Sequence, residues 1–193
     1  MKNYKQFLNE NINRKELVLD PIPIESFLTR SGLPNYLVDN ISKWWHQNRS
    51  HIEIYLFPFN TDKPIMGGII GENKIAVNET RPLPPHIRLF LALHESRHCD
   101  QYNEGVFERG YFESVKNENL KAFLGAYMYL EKDANDFAVS SMRACGFGRE
   151  MDFEESRLRK NEEGGEIVYK MMREDIARYN PDNFFDLIKI QIL

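Results

Sequence analysis

The chain has 193 residues, 42% hydrophobic and 12% aromatic, with 29 acidic against 25 basic side chains and a formal net charge of −4. Such a composition supports one globular domain over residues 1–193 with its own core; it excludes a disordered or low-complexity polymer and lacks the Lys/Arg stripe of a nucleic-acid binder. No run approaches the roughly 18 apolar residues needed to cross a bilayer, so neither nucleic acid nor membrane is expected as a partner.

Residues 1–50 read as a helical part. The stretch MKNYKQFLNENINRKEL sets Tyr4, Phe7, Leu8 and Ile12 among polar residues, the pattern of a short amphipathic helix without the apolar core and cleavage site of a signal peptide. Two cysteines, Cys99 and Cys145, make no disulfide framework, and a reducing, cytoplasmic setting is expected. Ile24 to Thr29 forms an apolar-periodic turn, and after Pro34 the residues Leu37, Val38, Ile41, Trp44 and Trp45 fall on one helix face. The Trp pair reads as core, and His46 and His51 read as structural.

A catalytic core is expected over residues 51–148. HIEIYLFPF has the alternation and β-branched or aromatic content of a strand ending near Pro58, followed by a turn at Asn60 to Pro64. IMGGII, the turn Gly71 to Asn73 and KIAVNE read as a β-hairpin, with Gly supplying the loop conformation and Gly67 and Gly68 marking a bulge or a close backbone approach. Arg81 to Pro85 cannot continue a strand, and Pro85 suits the first turn of the next helix. A long helical pattern over 117–145 is closed by Gly146 and Gly148. Residues 149–193 read as C-terminal helices: a charged, solvated stretch from Glu150 to Glu163, then Glu166 to Tyr179 and Asn183 to Ile190. Strands clustered ahead of a run of helices predict an α+β layer arrangement.

In LFLALHESRHCDQY, His94 and His98 are four apart on a helix and can point at one ion. Glu95 lies about a quarter turn away, where a carboxylate reaches a water beside the metal, the place of a general base. Ile87, Phe90 and Leu91 share the histidines' face, and burying two His and a Glu there without a partner costs several kcal/mol, which a metal removes. Catalytic zinc takes three protein ligands, so a third is required. Glu104 has the spacing of the last ligand in HExxHxxGxxH, although Gln101 stands where that pattern has Gly. Glu131 in YLEKDANDFAVSSM is preferred, because the small Ala134 and Ala138 let its helix pack closely on the first. Asn135, one turn on, is placed to orient a ligand imidazole, and Asp133 reads as a surface charge.

Taken together, the strand Ile75 to Asn78, the Pro-containing connection, the apolar helix running into HExxH and the ExxANxFA of Glu131 to Ala138 resemble the ImmA/IrrE-type zinc metallopeptidases, within the gluzincin-like zincins. The resemblance covers roughly residues 65–145. It implies a zincin-like fold, Zn2+ as cofactor, His94, His98 and Glu131 as zinc ligands, and Glu95 as catalytic base. The HESRHCDQ stretch is also similar to HExxHxxQ zincins of phage and bacteria, and the MKNYKQFLNEN start is similar to N-termini of tailed-phage proteins, implying a host cytoplasm.

The expected activity is zinc-dependent hydrolysis of peptide bonds in a protein or peptide substrate, held by main-chain bonds along an edge strand at Lys74 to Asn78. Tyr102, Tyr111, Tyr127, His86 and Arg143 are open candidates for the oxyanion donor. Cys99 and Cys145 read as buried small hydrophobes. The alternative is a zincin-like binding, regulatory or virion-associated module with structural zinc and no catalysis; Glu95 favours the enzyme, since a structural site has no use for a base there.

Overall fold

A computed structural model describes residues 20–57, 67–79, 83–105, 120–152 and 155–160, with side chains from residue 129 onward in the last long helix. Their order is α1 (Ile24–Arg30), α2 (Asn35–Asn48), β1 (Glu53–Phe57), β2 (Gly67–Gly71), β3 (Lys74–Asn78), α3 (Pro85–Asn103) and α4 (Leu120–Ala144), then helical turns at 148–152 and 155–160. The architecture is α+β with a small mixed sheet, as expected. The predicted N-terminal helix, the turn at Asn60 to Pro64 and the helices at Glu166 to Tyr179 and Asn183 to Ile190 lie outside the described residues. No helix among those described is long and apolar enough to cross a membrane.

Each of α1, α2 and α3 follows a proline, whose missing N–H is no loss where the first helical N–H groups lack intrahelical partners. Ile24, Phe27 and Leu28 of α1 and Val38, Ile41 and Trp45 of α2 enter the main core, with Trp44 packed half-buried against it. The Trp pair is therefore core, and His46 is tied to Glu25 on α1 by a 2.7 Å contact.

The strand order is β1-β3-β2, with β1 parallel to β3 and β2 antiparallel to it. This corrects the expectation that Lys74 to Asn78 forms an edge: β3 is hydrogen-bonded on both sides. The unbroken apolar run Ile75, Ala76, Val77, buried in all three members, suits an interior strand covered on both faces. Ile22 bridges the outer side of β1, donating its N–H to Ile54 O at 2.8 Å, whereas the outer side of β2 has no strand partner among the described residues. The hairpin register slips between Ile69 and Gly71, so the irregularity falls after Gly67 and Gly68. In the turn the positive φ of 56° belongs to Asn73 rather than to a glycine, a conformation Asn tolerates.

α3 is not amphipathic: Leu89, Ala92, Leu93, Ser96, Cys99 and Gln101 are all at or below 1% exposure, because the helix lies between the sheet on one side and α4 on the other. Its Ile87, Phe90 and Leu91 instead line an open cleft. α4 ends at Gly146, whose φ of +96° allows Phe147 N–H to reach Met142 O at 3.0 Å and Gly146 N–H to reach Arg143 O at 3.0 Å, the paired bonds of a Schellman closure. The charged stretch after it is anchored rather than solvated throughout. Met151 is fully buried, Leu158 packs on the core, and Arg159 pairs with Asp136 and Glu155.

Candidate metal centre

His94 and His98 stand one turn apart in the middle of α3, with ring centroids 4.6 Å apart and planes at 86°. Their Nε2 atoms are 3.0 Å from each other. From α4, Glu131 brings Oε2 to 3.3 Å from His94 Nε2 and Oε1 to 3.2 Å from His98 Nε2. The two helices can approach this closely because Ala134 and Ala138, on the Glu131 side of α4, are fully buried without bulk.

The three residues form a group able to hold a metal ion. Tetrahedral coordination with bonds of about 2.0–2.1 Å separates neighbouring ligand atoms by about 3.3 Å, close to the spacings here. Two imidazoles and a carboxylate are a donor set of intermediate hardness, and His94 Nδ1 is buried with no hydrogen-bond partner among the described residues, where the ring's polar contacts are made through Nε2.

Electrostatically the group is a coupled trio. Burial opposes the charge on His98, but the hydrogen bond and charge of Glu131, helped by Glu95 and Gln101, raise its pKa to about 9. Burial likewise works against the Glu131 carboxylate, yet the two histidines hold its pKa well below the usual range. Glu95 is pushed up by burial, with the nearby histidines acting the other way and Glu131 reinforcing it.

Glu95 lines a cleft of about 260 Å³ together with His94, Ile87, Phe90, Leu158 and Arg157. Behind it runs β2: a Cβ on Gly67 would sit 3.2 Å from Glu95 Cγ and 3.1 Å from Ala76 O, so that glycine marks the close approach foreseen in the sequence. Gly68 has open space around it.

Other expected site residues are placed differently. Glu104 pairs with Arg97 at 3.2 Å on the exposed end of α3, away from the metal-binding group. Asn135 lines the cleft, and Gln101 places its Oε1 2.7 Å from His98 Nδ1. Asp133 is no free surface charge: it accepts from Arg97 Nε at 2.7 Å and Gln101 Nε2 at 2.8 Å. Arg143 lies twelve residues beyond Glu131, about 18 Å along the helix, and pairs with Asp152 and Glu155. His86 and Tyr102 do not line the cleft; Tyr111 and the Tyr127 side chain lie outside the described residues. Cys99 and Cys145 are buried, their thiols pushed up by burial to about 12 and about 11.

Sequence reasoning overlooked three contributors. Gln101 stands out in the sequence for the glycine it replaces and for the HExxHxxQ spacing, neither of which says what its side chain meets. Arg157 was hidden in a charged stretch, and Arg49 is a single cation after α2. Arg49 is buried, pairs with Asp100 on α3 and lies 4.0 Å over the Phe137 ring of α4, joining three helices.

No family model, curated protein or solved structure matches the chain.

Proposed function

We propose that the protein is a zinc metallopeptidase of zincin-like fold and ImmA/IrrE-like type. The observation that carries this reading is the convergence of His94, His98 and Glu131 on one point, with Glu95 beside them in an accessible cleft. His94, His98 and Glu131 would hold the zinc, which when bound supplies a Lewis acid that polarises a carbonyl and brings a water's pKa toward about 7.

The chain's own residues supply the remainder. Glu95, its carboxyl pushed up by burial, removes the proton from the attacking water and delivers it to the leaving amine. The outer edge of β2, whose Gly67 abuts Glu95, replaces β3 as the strand on which an extended peptide is held by main-chain hydrogen bonds. Ile87, Phe90, Leu91 and Leu158 give the cleft an apolar wall that excludes water.

Elemental analysis of untagged protein tests the centre: one zinc per chain is expected, lost or loosened in His94→Ala and Glu131→Ala. Glu95→Gln should keep the zinc and abolish peptide cleavage. Persistent cleavage by that variant would remove Glu95 as the base, and an absence of metal after reconstitution with zinc would remove the centre.

A further inference from the structure

Gln101 is 1% exposed, and both ends of its amide are engaged. Its Nε2 donates to the Leu130 carbonyl at 3.0 Å and to Asp133 Oδ2 at 2.8 Å, both on α4. Each partner is an acceptor, a backbone carbonyl and a carboxylate, so turning the amide over would set oxygen against oxygen twice. Gln101 Oε1 is thereby fixed toward His98 Nδ1, 2.7 Å away, and Nδ1 must carry the proton. His98 Nε2 is then the nitrogen that would meet a metal, on the side where His94 Nε2 and Glu131 Oε1 lie, at 3.0 Å and 3.2 Å. Asp133 is itself held by Arg97 Nε at 2.7 Å.

We propose that Gln101 is a positioning residue for the metal centre: braced on Leu130 O and Asp133, it holds His98 in the Nδ1–H form and ties its ring to the helix that carries Glu131. The inference rests on the metal-centre reading above. One buried amide thereby ties the ring of an α3 ligand to Leu130 and Asp133, one residue before and two after Glu131 on α4, so the two helices cannot shift without disturbing the ligand set.

Gln101→Met keeps the volume and removes the acceptor and the donors. The full-length protein is titrated with zinc against a chromophoric chelator, and histidine 15N NMR of the zinc-loaded form follows the His98 Nδ1 proton. In the native chain that proton should be protected from solvent exchange; in Gln101→Met the protection should be lost and zinc should bind about 10–100-fold more weakly. A folded Gln101→Met that binds zinc as the native chain does overturns the inference. So does a variant whose metal-free form melts earlier while zinc affinity is unchanged, since that is a packing role alone. If Gln101→Met does not fold, Asp133→Ala, at a position 32% exposed, removes one brace; a smaller weakening with faster exchange of the Nδ1 proton is expected, and no change in either overturns the inference. A native chain that takes up no zinc overturns the metal centre and this inference together, whereas a zinc-binding native chain with an indifferent Gln101→Met overturns this inference alone.

Discussion

Gly67 shows how little room the Glu95 side chain has. A methyl at that position meets Ala76 O at 3.1 Å and Glu95 Oε1 at 3.3 Å, and the backbone oxygen cannot swing aside. Gly67→Ala should therefore displace Glu95 by a few tenths of an ångström, lowering kcat about tenfold while zinc affinity holds, because catalytic geometry tolerates small misplacements poorly. Steady-state kinetics beside zinc titration of the same variant checks this split. The residues that a motif can specify, His94, Glu95 and His98, were legible because four-residue spacing on a helix converts directly into a shared face. Gln101 was not, because its value depends on two acceptors 29 and 32 residues away in the chain.

Helix packing governs where Glu131 sits. Glu131 reaches the histidines because α3 and α4 lie side by side over small residues, Ala134 and Ala138 both being fully buried. Ala134→Leu should overpack that seam, destabilising the fold by about 1–3 kcal/mol and weakening zinc binding, as Glu131 is carried away from the pair. Urea unfolding and chelator competition read the two effects separately. Arg49 joins the same packing from α2: it is buried against Asp100 with its guanidinium over Phe137, so Arg49→Met, which leaves Asp100 with Arg97 at 3.6 Å, should cost about 1–3 kcal/mol, measured by the same unfolding titration.

Across the molecule the proton balance of the centre sets its response to pH. The His98 pKa is raised from 6.5 to about 9, so its contribution to the metal-free fold is full below 6.5 and is lost as pH rises through about 9. Glu131 is depressed from 4.5, so its contribution is present above 4.5 and is lost as pH falls below it. The metal-free protein should thus draw most from this contact between pH 4.5 and 6.5, with Tm declining toward pH 9. On the proposed reading zinc displaces the His98 proton, so its affinity should run the other way, rising about tenfold per pH unit up to about 9 with close to one proton released per ion. Calorimetry in buffers of different ionisation enthalpy counts that proton.

The α+β order, the proline-led helices, the hairpin, the closure near Gly146 and the HExxH face follow from local rules: period, breakers and spacing act within a few residues, and the chain carries them in plain order. Strand order did not follow. IMGGII and KIAVNE read as the two arms of a hairpin with Lys74 to Asn78 at the edge, and only the parallel pairing of β1 with β3 makes β3 interior and turns β2 outward beside Glu95. The two acceptors of the Gln101 amide and the partners of Asp133 and Arg49 were equally out of reach, since each lies on another element and pairing between elements depends on how layers stack. Periodicity records which face of an element is apolar; it carries no record of what that face will meet.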